Sequence, residues 1–368
     1  EYFLSHRFDI ALAAQQNGYD VYVYYGTLRR GEPGRLINHN IKVKSFFISR
    51  RKKNLFLDFL TFSNLFLIIL LLRPNIIHLI SIKPYLYGGI IARLLGITGV
   101  VSSVSGLGNA LSAETTKKFT TRFFLKHVFA YAFNNRNQFI IVQNESDQQF
   151  LLKWLQINPE KIVMTNGSGV KIDNILVSAE AGKTPIISLA ARLIYDKGIF
   201  EFVEVARAFT QRKIKANFWI IGEVDHGNPM SISEKDLREW AREPNVTFLG
   251  YQEDVISLYL KSSIVCLPSY YGEGMPKSLL EAAACGRPIV TTDLPGCKDT
   301  IISGTTGLLV PPRDASELGR VLELLVLNPD TRRQYGEAAR LHAEKHFNIK
   351  KVIDTHLNIY QKLCLNEF

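Results

Sequence analysis

The chain has 368 residues, 46% hydrophobic and 21% charged, with a formal net charge of +10. That length suits two domains rather than one core, and the composition excludes a disordered or fibrous chain. The charge is lopsided: residues 1–170 hold 20 Lys+Arg against 9 Asp+Glu, and the remainder holds 24 against 25. A basic first half suits nucleic acid, anionic lipid or a phosphorylated substrate. The cysteines Cys266, Cys285, Cys297 and Cys364 form no C-x-x-C pair and read as reduced thiols of a cytosolic protein.

In chain order, the first clear element is a helix near residues 7–17, entered through FLSHR. Doubly wound domains ordinarily open with a strand, so a leading strand is expected to be missing or reduced to Glu1–Leu4. No signal-peptide pattern is visible. Apolar β-rich runs then follow at 20–25, 75–80, 99–104, 139–143 and 161–165, with helical patterns at 54–72, 84–95, 115–133 and 145–155. The run 54–72 is long enough for a membrane span, but Asp58, Ser63 and Asn64 interrupt it, which favours a buried or surface-lying helix. Arg50, Arg51, Lys52 and Lys53 follow two phenylalanines, and KKFTTRFFLKHVF (117–129) repeats the basic and aromatic theme. Both suit an anionic membrane surface, with a solvated basic loop as the plainer reading of the first. NGSGVK (166–171) either lines a ligand cleft or is only a turn.

The second half restarts the alternation, with strands at 185–192, 216–222, 245–250, 263–269, 288–292 and 307–311. Continuous Val/Ile/Leu strands with helical crossovers mean parallel sheets covered on both faces. The expected fold is α/β: two Rossmann-like doubly wound domains facing a cleft, 1–170 and 171–345, with a final helix in 346–368 returning to the first. His342 and His346 stand at i,i+4 on a polar helix without an HExxH order, and read as a surface face.

The chemistry concentrates in YYGEGMPKSLLEAAACGRPIV. It follows a strand, so it lies at the carboxyl end, where α/β domains bind ligands. Pro276 suits a helix start, and the amides of Gly274, Met275 and Lys277 surround an anion-receptive helix end. Glu273 stands at the mouth and Glu281 on the helix wall, i,i+4 from Lys277. Carboxylates accept hydrogen bonds from sugar hydroxyls. In ARLIYDKG, Arg192 ends a strand and Lys197 opens the next helix, a fork and a point charge suited to a diphosphate. No Asp-x-Asp occurs, so no bridging metal is expected.

These motifs, with E-x7-E at Glu273 and Glu281 and TTGLLVPPRDASEL, resemble a retaining glycosyltransferase of the GT-B fold, family 4. LSHRFDIALAAQQNGYDVYVY, KPYLYGGIIARLLGI, SGLGNA and NGSGVKID resemble the first-domain landmarks of members that elongate lipid-linked oligosaccharides. The resemblance implies a nucleotide-sugar donor, usually UDP-linked, a polyprenyl-diphosphate-linked saccharide acceptor, and no cofactor or metal. It implies that Arg192 and Lys197 hold the diphosphate, that Glu281 holds the ribose, and that Glu273 lies near the transferred sugar. It implies peripheral association with the cytoplasmic membrane face and no nucleic-acid partner. Two departures stand out: Ser5, His6 and Arg7 occupy the place of a Gly-rich loop, and Ser105 and Gly106 occupy that of a histidine. His6, Ser105, Gly106 and Asn109 are the acceptor-side candidates. A UDP-sugar 2-epimerase and a non-catalytic nucleotide-sugar-binding protein are the competing readings.

Overall fold

The computed structural model describes residues 2–26, 39, 41–48, 54–106, 119–178, 182, 184–270 and 272–365. The chain divides into two units, Glu1–Ser168 with Lys350–Phe368, and Gly169–Ile349.

The first unit begins with helices α1 (Tyr2–His6) and α2 (Phe8–Gln16), then strands β1 (Tyr22–Tyr25) and β2 (Lys42–Ser45). It continues through α3 (Leu55–Leu72), β3 (Ile76–Ile80), α4 (Ile82–Leu95), β4 (Gly99–Val104), α5 (Phe119–Phe133), β5 (Gln138–Val142), α6 (Glu145–Lys153) and β6 (Ile162–Met164). Strands β3-β4-β5-β6 form one parallel sheet, and β1 pairs with β2 in another. Every residue of β4 and β5 is buried, as expected for central strands covered on both faces. Their apolar side chains pack with Tyr85, Phe129 and Phe133 from α4 and α5.

Among the described residues the amino end carries no reduced strand: Tyr2–His6 is helical, and Phe3 O accepts from Arg7 N at 2.8 Å. A helix closes its hydrogen bonds locally, whereas a strand needs a neighbouring edge. The strand β2 was not expected, because KVKS is mostly exposed and shows no apolar run. It exists through pairing with β1, with Val23 opposite Val43. Helix α3 starts where the Asn54 side chain accepts from Phe56 N and Leu57 N. Only its Thr61, Leu65 and Ile69 stripe is buried, the last two beside Ile91 of α4. Residues 49–53, including the cationic run, lie outside the described residues.

The second unit contains β7 (Ile186–Ala190), α7 (Ile199–Gln211), β8 (Asn217–Ile221), α8 (Glu234–Trp240), β9 (Val246–Gly250) and α9 (Val255–Tyr259). Then come β10 (Ile264–Leu267), α10 (Lys277–Ala284), β11 (Ile289–Thr292), β12 (Gly307–Val310), α11 (Ala315–Leu327) and α12 (Pro329–His346). Its six strands run parallel in the order β12-β11-β10-β7-β8-β9. The chain moves outward from β7 through β8 and β9, then resumes on the other side at β10. The carboxyl ends of β7 and β10 therefore flank the topological switch point, where an open α/β sheet leaves a crevice.

Helix α13 (Ile349–Leu365) buries Val352, His356, Ile359, Tyr360 and Leu363 at helical spacing. Tyr360 Oη lies 2.7 Å from His78 Nδ1 of β3, and His78 Nε2 lies 2.6 Å from Ser103 Oγ of β4. Burial, reinforced by His356 and Arg7, pushes the His78 pKa well below its usual value, so this imidazole is neutral. Before that helix, Val170 N donates to Phe347 O at 2.8 Å and Ile349 N to Val170 O at 3.0 Å.

Candidate active site

The loop after β7 is held along the loop after β8. Leu193 N donates to Glu223 O at 2.9 Å and Tyr195 N to Met230 O at 2.8 Å. Arg192 stands just beyond β7 with its side chain 62% exposed, and its Nη1 lies 2.7 Å from Asp225 Oδ2. Asn228 Nδ2 donates to the same oxygen at 3.1 Å. Lys197 lies not in the helix but in a single 3-10 turn, Tyr195–Lys197, and is 8% exposed.

Gly198 ends that turn at φ +72°, and a Cβ there would stand 2.2 Å from Pro268 O. Only glycine permits this approach. It brings the turn against the carboxyl end of β10, where Tyr270 N donates to Asp196 O at 2.9 Å. Lys197 Nζ consequently makes an ion pair with Glu273 Oε1 in a site largely closed to solvent. Ser269 Oγ lies 3.1 Å from both Glu273 Oε1 and Asp196 O. Residues 76 apart in sequence thus share one charge cluster at the switch point.

The backbone under Glu273 is set from a third loop. Gly296 has φ +83°, and a Cβ on it would lie 1.7 Å from Gly274 O and 2.4 Å from Glu273 O. Beside it, burial and then Glu273 push the Cys297 thiol up to about 12, and burial pushes Cys285 up to about 12 as well. Neither is a thiolate nucleophile.

Pro276 stands at the N-cap of α10 with φ −61°, and Lys277 is its first helical residue. The first amides of a helix have no carbonyl within it to bond, and Pro276 supplies no amide hydrogen. Met275 is buried in the core of the unit. Glu281 lies one turn on, 3.8 Å from Lys277 Nζ, with about a fifth of its side chain exposed. Burial pushes its carboxyl above the usual range, Lys277 draws it back, and Asp254 adds to the rise.

A second cluster underlies the same loop. The Arg313 guanidinium sits 4.4 Å over the Tyr270 ring. Glu201, in the first turn of α7, is 9% exposed, and its Oε2 is buried without a hydrogen-bond partner. Burial raises its pKa, and Arg313 partly offsets the rise. The Tyr270 hydroxyl is raised by burial and then by the Glu201 and Asp196 charges.

The structure brings Lys197 and Glu273 into contact and Lys277 to Glu281. Arg192 pairs with Asp225. In the first unit, His6 ends α1 with Nδ1 2.6 Å from Ser5 Oγ. Ser105 and Gly106 follow β4, and Gly106 N donates to Asp147 Oδ2 at 3.1 Å. Asn109 lies outside the described residues. Sequence reasoning missed Asp225, Ser269, Gly296, Asp147 and the Glu201–Arg313–Tyr270 group. A Pro-Gly turn marks Gly296 in the sequence; the others carry no local signal, because their partners are distant in the chain.

Two parallel-sheet α/β units, the second doubly wound with a cation–carboxylate cluster at its switch point, fit the GT-B class of glycosyltransferase. Residues 1–144 match the family described as Glycosyl transferase 4-like, and residues 171–342 match Glycosyl transferases group 1. The chain belongs to this family and is a glycosyltransferase. It is 29% identical to the N,N'-diacetylbacillosaminyl-diphospho-undecaprenol alpha-1,3-N-acetylgalactosaminyltransferase of Campylobacter jejuni, over 90% of this chain and 89% of that protein. It is 25% identical to the UDP-Gal:alpha-D-GlcNAc-diphosphoundecaprenol alpha-1,3-galactosyltransferase of Escherichia coli, over 88% of this chain and 85% of that one. Among solved structures, sucrose-phosphate synthase from Thermosynechococcus elongatus superposes with a TM-score of 0.78 at 18% identity, covering 98% of this chain and 92% of its own. Anabaena HepE in complex with UDP-glucose gives 0.75 at 16% identity, covering 96% and 94%.

Proposed function

We propose that this enzyme moves a hexosyl or N-acetylhexosaminyl group from a UDP-sugar to a polyprenyl-diphosphate-linked saccharide, with retention of configuration and without a metal ion. The observation that carries the reading is the Lys197–Glu273 pair at the switch point. Two relatives that align over most of the chain are named for undecaprenyl-diphosphate-linked acceptors, and HepE was solved with UDP-glucose.

In this reading Lys197 and Arg192 neutralise the departing diphosphate, assisted by the amides at the start of α10. Such fixed charges stabilise the leaving group without reorganisation, which is the largest part of the catalysis. Lys197 exchanges its Glu273 contact for phosphate oxygens, and Arg192 exchanges Asp225. Glu281 accepts hydrogen bonds from the ribose hydroxyls. Glu273 stands near the anomeric carbon and favours its oxocarbenium character. The acceptor hydroxyl attacks from the face the diphosphate leaves, and a leaving phosphate oxygen takes its proton. His6, Ser105, Gly106 and Asn109 serve the acceptor side. A lipid-linked acceptor and the basic first half support a reaction at the anionic cytoplasmic face of a membrane.

The test is a thermal-shift titration with UDP, GDP and ADP on the parent chain and on Arg192→Ala, followed by transfer assays on polyprenyl-diphosphate saccharides in detergent with and without EDTA. The expected result is preferential stabilisation by UDP, weakened in the variant, and an EDTA-insensitive product of retained anomeric configuration. An inverted product, an epimerised donor or no shift with any nucleotide would overturn the reading.

A further inference from the structure

The helix α3 has no conventional solvent face. Leu55, Phe56, Phe59, Leu67 and Leu71 are 87%, 68%, 65%, 54% and 82% exposed; Leu55 is the first residue of the helix, and the other four lie on the side away from the Thr61–Leu65–Ile69 stripe. A surface helix of a globular unit ordinarily carries polar and charged residues there. The mean hydropathy of Leu55–Leu72 is 2.3, with only 17% of it buried.

Length and composition alone would allow a span, but the packing argues otherwise. Asp58 Oδ1 pairs with Lys83 Nζ of α4 at 2.6 Å, Leu65 and Ile69 pack with Ile91, and the chain enters β3 four residues after α3 ends. The helix is a layer of its own α/β unit, and a transmembrane placement would strip that layer from the sheet. Its charge surroundings identify the occupant of the open face. Exposed Arg73 follows the helix, and in the sequence Arg50, Arg51, Lys52 and Lys53 directly precede its Asn54 cap. An apolar face with cations at both ends fits the boundary between acyl chains and anionic headgroups.

We propose that α3 is an in-plane membrane anchor, with Leu55, Phe56, Phe59, Leu67 and Leu71 sunk into one leaflet of an anionic bilayer. This extends the membrane reading above to a particular element and is independent of the transfer chemistry.

The test is co-sedimentation with phosphatidylglycerol/phosphatidylethanolamine vesicles and with phosphatidylcholine vesicles. The proteins are the parent chain, F56S/F59S, and R50Q/R51Q/K52Q/K53Q. The parent is expected to bind anionic vesicles preferentially and to be released by alkaline carbonate. Removing both phenylalanines weakens binding at least tenfold. Neutralising the four cations weakens it by about 600-fold at low salt, since each cation strengthens binding about fivefold. Melting temperatures stay unchanged in both variants. Undiminished binding by F56S/F59S would overturn the proposal. So would resistance of the parent to carbonate, which means a span, or a self-associated parent that F56S/F59S renders monomeric without vesicle binding. Nucleotide-induced stabilisation measured in detergent separates the two readings: its loss with vesicle binding intact sinks the donor site and leaves the anchor standing.

Discussion

Replacing Gly296 with alanine tests whether the position of Glu273 is set from the loop beneath it. The new Cβ would lie 1.7 Å from Gly274 O and 2.4 Å from Glu273 O, so the Glu273–Gly274 backbone must move by more than about 1 Å to reach an ordinary contact. A displacement of that size at a reacting centre lowers turnover on the order of a hundredfold. The left-handed backbone at φ +83° adds about 1–2 kcal/mol of strain for any residue with a Cβ. Gly304 provides the control: its φ is +77°, nothing lies within 4 Å of a Cβ built there, and it sits in the turn before β12. Gly304→Ala therefore carries only the strain. It is expected to lower the melting temperature by roughly 2–8 °C while leaving kcat/KM within a factor of two, given about 2–4 °C per kcal/mol in a domain of this size. Gly296→Ala should show the larger thermal loss and about a hundredfold fall in kcat/KM, read from release of nucleotide diphosphate. If the two variants turn over donor equally, the contact with the Glu273 loop does not position the proposed catalytic carboxylate.

Lys197→Met should destabilise the second unit by about 3–5 kcal/mol in urea unfolding, because it strands a buried carboxylate; adding Glu273→Gln should restore part of that loss, and strictly additive effects would contradict the pairing. Glu201 has a raised pKa, so its protonated form favours the folded state, and that contribution fades as pH rises through the folded value. Glu201→Gln should therefore stabilise the protein at pH 7 by about 1 kcal/mol, with the gain shrinking on acidification; a gain that grows toward low pH would contradict the sign. Lys277→Met removes the charge that draws the Glu281 pKa down, so the acid limb of UDP binding should move to higher pH, and an unmoved limb would separate Glu281 ionisation from donor binding. Arg313→Ala should raise KM for the donor several-fold by releasing Tyr270, and unchanged steady-state constants would confine the stack to a structural role.

Much of this molecule is legible without coordinates. The buried runs at 99–104 and 263–269 announce central parallel strands because their apolar character does not alternate, and the helix over 54–72 announces itself by length and composition. Glu273, Glu281, Arg192 and Lys197 are legible because they flank strand ends in motifs of fixed spacing. The strand KVKS at 42–45 is not, since its structure depends on an edge supplied by residues 22–25. Nor is the helical start at Tyr2–His6, where local hydrogen bonding prevails. Pairings are the least legible: nothing local in the sequence announces that Arg192 meets Asp225, and Lys197 meets Glu273 only because β10 lies beside β7. Local periodicity reports how each segment buries its own apolar surface, and that is a property of neighbouring residues. Strand order, and with it the meeting of charges far apart in the chain, follows from which edges associate and how the crossovers wind, and only the packed sheet decides that.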